Sequence, residues 1–303
     1  MSFMDWFSNL TGQMGTDMAI DLGTANTLVA MTGEGIVINE PSVVAIEKST
    51  HRVLAVGHEA KNMINHTPEA FSAEHPLKDG VIADYDVTEA MISAFINKAA
   101  ERKYPWQPKP RIVVCIPCGA TSVEKRAVFE ATIQAGARQA YLIEEPMAAA
   151  MGADLPVTEP TGSMVVDIGG GTTGISVIQN GRVVECIDES TGGTHFSLVL
   201  AGARGMSFDE AELYKRDPAH HREIFPVVKP TIDKVASIIA RAIDGYDVPE
   251  IVLVGGTAEL TGIEAPVEKA LGIPVHKPNH PMFVTPLGIA LGCQAAAEGD
   301  LDA

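Results

Sequence analysis

Two segments of this chain carry one pattern, and the repetition restricts its possible folds more than any other feature. Ile20-Asp-Leu-Gly-Thr-Ala-Asn-Thr-Leu28 and Val165-Val-Asp-Ile-Gly-Gly-Gly-Thr-Thr-Gly174 each run β-forming residues into an Asp-apolar-Gly step followed by Thr, Asn or Gly. Each reads as a strand entering a tight turn whose backbone N–H groups and hydroxyls face an anion. Asp-x-Gly turns also occur in ordinary β-proteins. A pair of them, each opening a half of similar size, predicts two related α/β domains facing each other across a cleft that holds a nucleotide. The candidate phosphate-facing residues are Gly23, Thr24, Ala25 and Asn26 in the first turn, and Gly169, Gly170, Gly171, Thr172 and Thr173 in the second. Asp21 and Asp167 close the two strands, where a carboxylate holds Mg2+ through water and shares it with phosphates.

Length and composition agree with this. The 303 residues suffice for two modest domains, and 46% hydrophobic with 20% charged residues is a globular balance. A net charge of −17 argues against nucleic acid as a partner, because affinity for phosphate backbones rests on Lys and Arg. Cys115, Cys118, Cys186 and Cys293 form no disulfide framework, and without a signal peptide or spanning apolar run the protein is expected in the cytoplasm. Cys115-Ile-Pro-Cys118 has redox spacing, but it closes an apolar strand and lacks a second pair for zinc, so buried structural thiols are expected.

Along the chain, residues 1–16 form an amphipathic segment with Phe3, Trp6, Phe7 and Leu10 on one helical face. It reads either as an interfacial membrane anchor or as a terminal helix packed on the body; its polar side has Asp5 and no basic residue, so insertion would be hydrophobic. Lys103-Tyr-Pro-Trp-Gln-Pro-Lys-Pro110 is a proline-rich loop carrying Tyr104 and Trp106, the second of two tryptophans in the chain. Trp6 and Trp106 on one face would make a membrane-contacting patch; Trp106 capping the preceding helix is the alternative. Domain I is expected over 17–155 with an insertion at about 38–76, and domain II over 163–285. A C-terminal helix over 286–303 is expected to return to domain I. Helices are expected at 58–64, 81–102, 121–135, 147–153, 195–203, 208–215, 227–242 and 284–297, and the loop 155–162 is the domain junction.

Further candidates lie in the expected cleft. Glu144-Glu145-Pro146 ends a strand and opens a helix, a position that can project a carboxylate to orient a water against a γ-phosphoryl group; two exposed capping acids are the alternative. Gly255, Gly256 and Thr257 follow an apolar strand and suit close approach to a ribose or α-phosphate. Glu212 and Lys215 share a helix face and read either as a ribose or base clasp or as a solvent-facing ion pair.

These residues carry a resemblance. The two turn motifs, with Asn39-Glu-Pro-Ser-Val-Val-Ala-Ile46, Lys78-Asp-Gly-Val-Ile-Ala-Asp84 and Ile143-Glu-Glu-Pro-Met-Ala-Ala-Ala150, resemble MreB, the bacterial actin, over about residues 17–173. The resemblance implies an actin-like ATPase fold of two RNase H-like domains. It also implies ATP and Mg2+ held at Asp21 and Asp167, hydrolysis assisted by Glu145, ATP-linked filaments, and membrane attachment through the N-terminus and the Trp106 loop. After Thr173 the chain is instead similar to EutJ, a chaperone-like protein of ethanolamine-utilisation microcompartments. Ser190-Thr-Gly-Gly-Thr-His-Phe-Ser-Leu-Val-Leu-Ala-Gly202, Glu210-Ala-Glu-Leu-Tyr-Lys-Arg216 and Phe225-Pro-Val-Val-Lys-Pro230 carry that likeness. MreB has a longer insert between the glycine turn and the strand at Ile251, so subdomain IIB is expected to be missing or reduced. The two functions implied are a filament-forming ATPase and a non-polymerising nucleotide-dependent chaperone whose partners are microcompartment enzymes or shell. A metabolite kinase of the same superfamily is a weaker third, for lack of a sugar-binding insert.

Overall fold

The computed structural model describes residues 17–23, 26–31, 34–50, 52–66, 69–78, 81–99 and 109–298. The expectations for Phe3, Trp6, Phe7, Leu10, Thr24, Ala25, Tyr104 and Trp106 lie outside the described residues. The chain divides into two units, Met1–Ala148 with Ile289–Ala303, and Ala149–Gly288.

The first unit is built on a five-stranded sheet of β1 (Met18–Leu22), β2 (Asn26–Met31), β3 (Gly35–Pro41), β9 (Arg111–Ile116) and β10 (Gln139–Glu144), in the order β10-β9-β1-β2-β3. β1 to β3 form an antiparallel meander, and β9 and β10 add in parallel. The central strands are apolar over most of their length, with both faces covered. One core joins Met18, Ile20 and Val29 to Ile112, Val114 and the helix residues Met91, Ile92 and Phe95. An insertion between β3 and β9 carries a small sheet, β5-β4-β6, of β4 (Val44–Glu47), β5 (Val53–Val56) and β6 (Phe71–Glu74), with α1 (Gly57–His66) against it. The short pair β7 (Leu77–Lys78) and β8 (Val81–Ile82) follows.

The second unit repeats the plan. β11 (Ser163–Ile168), β12 (Thr173–Gln179), β13 (Arg182–Glu189), β14 (Ile251–Val254) and β15 (Val275–His276) lie in the order β13-β12-β11-β14-β15. Antiparallel and parallel pairings fall in the same places as in the first unit, and the β2–β3 and β12–β13 pairings each carry a register shift. The sequence duplication is therefore a duplication of topology. Between β13 and β14 the chain holds only helical elements: α5 (Gly193–Arg204), α6 (Phe208–Arg216), a 3-10 turn at Pro218–His220, and α7 (His221–Ala242).

Several element boundaries differ from expectation. The helix expected over 81–102 is α2 (Tyr85–Ala99). Its start is set by Asp84, whose carboxylate accepts the Val87 N–H at 3.0 Å, while Val81–Ile82 pairs as a strand. The helix expected to begin at Val227 begins six residues earlier and runs through Pro226 and Pro230. A proline inside a helix costs about 3 kcal/mol, but Ile224, Val228, Ile232, Val235 and Ile239 form one fully buried stripe on the core, which outweighs it. β5, β6, β15 and the helix α8 (Glu264–Leu271) were not expected; each is short, with little periodicity to read. The helix expected at 121–135 forms as α3 (Ser122–Gln134), with the reciprocal Thr121–Glu124 capping box that its sequence carries.

Candidate functional site

The two hairpins are the same object in register. In the first, Asp21 pairs with Leu28 and Leu22 with Thr27; in the second, Asp167 pairs with Gly174 and Ile168 with Thr173. Each turn therefore spans the same length between its strands, with the Asp one residue before the last pair.

In the second unit three glycine-bearing segments meet at one backbone carbonyl. Gly169 O accepts the Gly193 N–H at 2.9 Å and the Thr257 hydroxyl at 2.9 Å, and Gly170 O accepts the Thr194 N–H at 2.8 Å. These approaches need glycine. A Cβ on Gly192 would lie 2.8 Å from the Thr172 nitrogen, and one on Gly193 would lie 2.5 Å from Thr257 Oγ1. Gly255 has a φ of +88° and its Cβ would strike Asp167 Oδ1. At Gly171 and Gly256, by contrast, a Cβ would meet nothing within 4 Å. Internal packing does not demand glycine at these two positions, and both suit a group approaching from outside.

Asp167 lies among these turns. The Thr285 hydroxyl donates to its Oδ2 at 3.1 Å. Desolvation pushes its carboxyl up to about 6; the Thr285 hydrogen bond opposes the rise and the charge of Asp188 adds to it. Asp188 pairs with Gly174 on the adjacent strand, so Asp167, Gly174 and Asp188 form a cross-strand row on one face with no side chain between the two acids. A Cβ on Gly174 would lie 3.3 Å from Asp188 Oδ1, and desolvation raises the Asp188 carboxyl too. Two carboxylates that are costly to ionise together in a partly desolvated turn suit a divalent cation. No group of three or more acids, histidines or cysteines gathers as a metal cluster among the described residues.

Glu212 and Lys215 form a tight pair at 2.7 Å that is bound to the turn region from within. Lys215 Nζ also donates to Gly193 O at 2.8 Å and to Ser197 Oγ at 2.9 Å, and Ser197 Oγ donates to Glu212 Oε2 at 2.5 Å. All three ammonium protons are thus directed at protein acceptors. Desolvation acts to raise the Glu212 carboxyl, but hydrogen bonds from Lys215, Ser197 and Arg216 overcome it and leave the group at about 2.

In the first unit, a Cβ on Gly23 would come within 2.5 Å of Asn26 O, so the turn closes on a glycine. Glu145 opens α4 (Glu145–Gly152) directly after β10, and Glu144 pairs with Lys125 at 3.0 Å. Sequence reasoning did not single out Ser42, Thr191, Asp188 or Thr285. The glycine pair 192–193 was visible within the Ser190–Gly202 stretch, whereas Asp188 and Thr285 gain their place only through pairing and packing. Cys115 and Cys293 are buried, Cys118 and Cys186 partly exposed, and none of the four is in a disulfide. No described helix is long and apolar enough to cross a membrane.

Comparison with known proteins places this geometry in context. The profile of MreB/Mbl proteins matches residues 15–200, and that of the type IV pilus assembly protein PilM matches residues 139–284. The cell shape-determining protein MreB of Escherichia coli (strain K12) is 54% identical over 193 residues, 62% of this chain and 55% of that protein. The chain thus spans about half the length of that relative. The cell shape-determining protein Mbl of Bacillus cereus is 37% identical over 317 residues, 91% of this chain and 95% of that protein. Among solved structures, MreB5 of Spiroplasma citri bound to ADP aligns with a TM-score of 0.80 at 22% identity, covering 94% and 98% of the two chains. The ethanolamine utilization protein EutJ from Carboxydothermus hydrogenoformans aligns with a TM-score of 0.65 at 35% identity, covering 91% and 89%. The actin-like fold expected from the sequence is the fold of this chain.

Proposed function

The chain belongs to the MreB/Mbl family, and from that premise we propose that it is an actin-like protein that binds Mg2+-ATP and assembles into filaments in response. The observation that carries the reading is the duplicated hairpin: two Asp-apolar-Gly turns of the same register, one of them lined by glycines that internal packing does not require. In this reading each turn serves nucleotide phosphate. Gly23 to Asn26 and Gly169 to Thr173 receive the phosphates through backbone N–H groups and hydroxyls, and Gly255 to Thr257 lie along the sugar side. Asp21 and Asp167 face Mg2+ through water, which supplies charge neutralisation for the phosphates. Glu145 orients the attacking water, the positioning role on which phosphoryl transfer mainly depends.

Relatives named for cell shape, and the MamK double helical filament among structures of this fold, support self-association. A second reading is favoured by one observation. The purely helical stretch between β13 and β14 accompanies the 35% identity to EutJ, and supports a non-polymerising nucleotide-dependent chaperone of microcompartment enzymes or shell. Attachment to a membrane surface through the N-terminal segment and the Trp106 loop belongs to the first reading.

Pelleting of the purified protein with and without Mg2+-ATP, with electron microscopy of the pellet, tests both. Nucleotide-dependent filaments are expected. Protein that binds ATP yet stays in the supernatant over a wide concentration range would overturn the first reading in favour of the second.

A further inference from the structure

Where the chain leaves the five-stranded sheet of the first unit for the small sheet, Ser42 is buried, 1% exposed, beside Thr27, which is fully buried. Ser42 Oγ donates to Gly23 O at 2.6 Å, and Thr27 Oγ1 stands 2.9 Å from Ser42 Oγ. Because the Ser42 proton is directed at Gly23, Thr27 supplies the donor between the two hydroxyls. The relay runs Thr27 to Ser42 to the carbonyl at the start of the first turn. Ser42 O is in turn 3.2 Å from His75 Nδ1, directly after β6.

The second unit contains the counterpart. Thr27 pairs with Glu40 and Thr173 with Glu189; Ser42 and Thr191 each follow two residues later. The Thr173 hydroxyl donates to Thr191 O at 2.5 Å, and the Gly193 N–H donates to Gly169 O at 2.9 Å. Gly23 and Gly169 stand at the same place in their hairpins. Both units therefore place donors on the equivalent carbonyl, the first through the Ser42 side chain and the second through the Gly193 backbone and the Thr257 hydroxyl.

We propose that Ser42 is a positioning residue for the first phosphate turn, holding the Gly23 peptide so that the turn's amides are presented to nucleotide phosphate. The inference rests on the nucleotide-binding reading above and deepens it. A peptide unit is planar, so a held carbonyl also sets the direction of the amide bonded to it, which points the opposite way. An internal donor on the Gly23 carbonyl thus limits the orientations open to that peptide unit without contacting a ligand. In the second unit the Gly193 backbone N–H and the Thr257 hydroxyl share this duty at Gly169 O.

Binding of a fluorescent ATP analogue with Mg2+ to full-length wild type, Ser42→Ala, Ser42→Thr and the stability control Val44→Ala tests the proposal, alongside thermal unfolding, steady-state phosphate release, and hydrogen exchange of the peptide covering Leu22 to Met31 without nucleotide. Ser42→Ala is expected to weaken binding about tenfold, to raise KM by a similar factor with kcat within about threefold, and to speed exchange in that peptide. Ser42→Thr retains the hydroxyl and restores affinity. Val44→Ala, a fully buried residue of the small sheet, lowers Tm without a matching loss of affinity. If Ser42→Ala binds as tightly as wild type, or if its loss merely tracks the Tm change shown by Val44→Ala, the positioning role is wrong while nucleotide binding stands. If wild type itself binds no nucleotide, both readings fall. Unchanged exchange in the hairpin peptide would overturn the proposal even if Ser42→Ala were too unstable for kinetics.

Discussion

Replacing Glu212 with Gln decides what the Glu212–Lys215 pair does. In the structure Glu212 accepts from Lys215, Ser197 and Arg216, and Lys215 holds Gly193 O. Its carboxyl lies at about 2, below the ordinary 4.5; at about 1.4 kcal/mol per pH unit the gap bounds its coupling near 3 kcal/mol. Desolvation takes part of this back, since it draws the Lys215 ammonium below its ordinary value despite the carboxylate. A quarter of the Glu212 side chain is exposed, so a net loss of about 2 kcal/mol is expected for Glu212→Gln at pH 7. The sign of the pH dependence follows from the depressed value. The stabilisation is fully present above about 4.5, where an unfolded Glu is ionised, and is lost as pH falls from there toward 2. Urea unfolding of wild type and Glu212→Gln between pH 7 and pH 3.5 should therefore show a near-constant difference down to about pH 5, shrinking by more than half at pH 3.5. A difference that does not shrink would refute the electrostatic account. A variant with an unchanged urea midpoint but weakened nucleotide binding would show that the pair faces a ligand instead of bracing the turn.

Glu145→Gln should abolish phosphate release while retaining nucleotide binding; equal release rates would remove the water-orienting role. Gly255→Ala places a Cβ against Asp167 and 2.7 Å from Ile168 O at a positive φ, which should lower Tm by several degrees and weaken Mg2+-dependent binding more than Mg2+-independent binding; a Tm within 1 °C of wild type would show that the turn yields freely. Asp188→Asn removes a charge that raises Asp167, so the Asp167 carboxyl in the nucleotide-free protein should titrate lower, as read by carboxyl NMR; an unmoved titration would mean that the row does not couple. Burial and the charge of Asp17 push the Cys293 thiol up to about 12, so Cys293 should resist an aromatic disulfide reagent at pH 8 until urea is added; rapid labelling in the native protein would contradict its burial.

The sequence by itself determined the fold class and the two turns. Strands such as Ser163–Ile168 are apolar on both faces, and the Asp-apolar-Gly step admits few backbone solutions, so local chemistry suffices to place them. It also held the capping signals at Thr121–Glu124 and Asp84, although only the former was read as a helix start. Tertiary structure alone decided what depends on pairing across strands or on burial. Asp188 meets Asp167 through Gly174 because three strands come into register, and Ser42 reaches Gly23 because the chain leaves β3 at that point. The start of α7 at His221 rests on a buried stripe outweighing two prolines, a balance between core packing and local propensity that no window of residues contains. Glu212 and Lys215 show the same limit: their helical spacing announced a pair, but Gly193, which comes to them from another helix, decided which way it is bound.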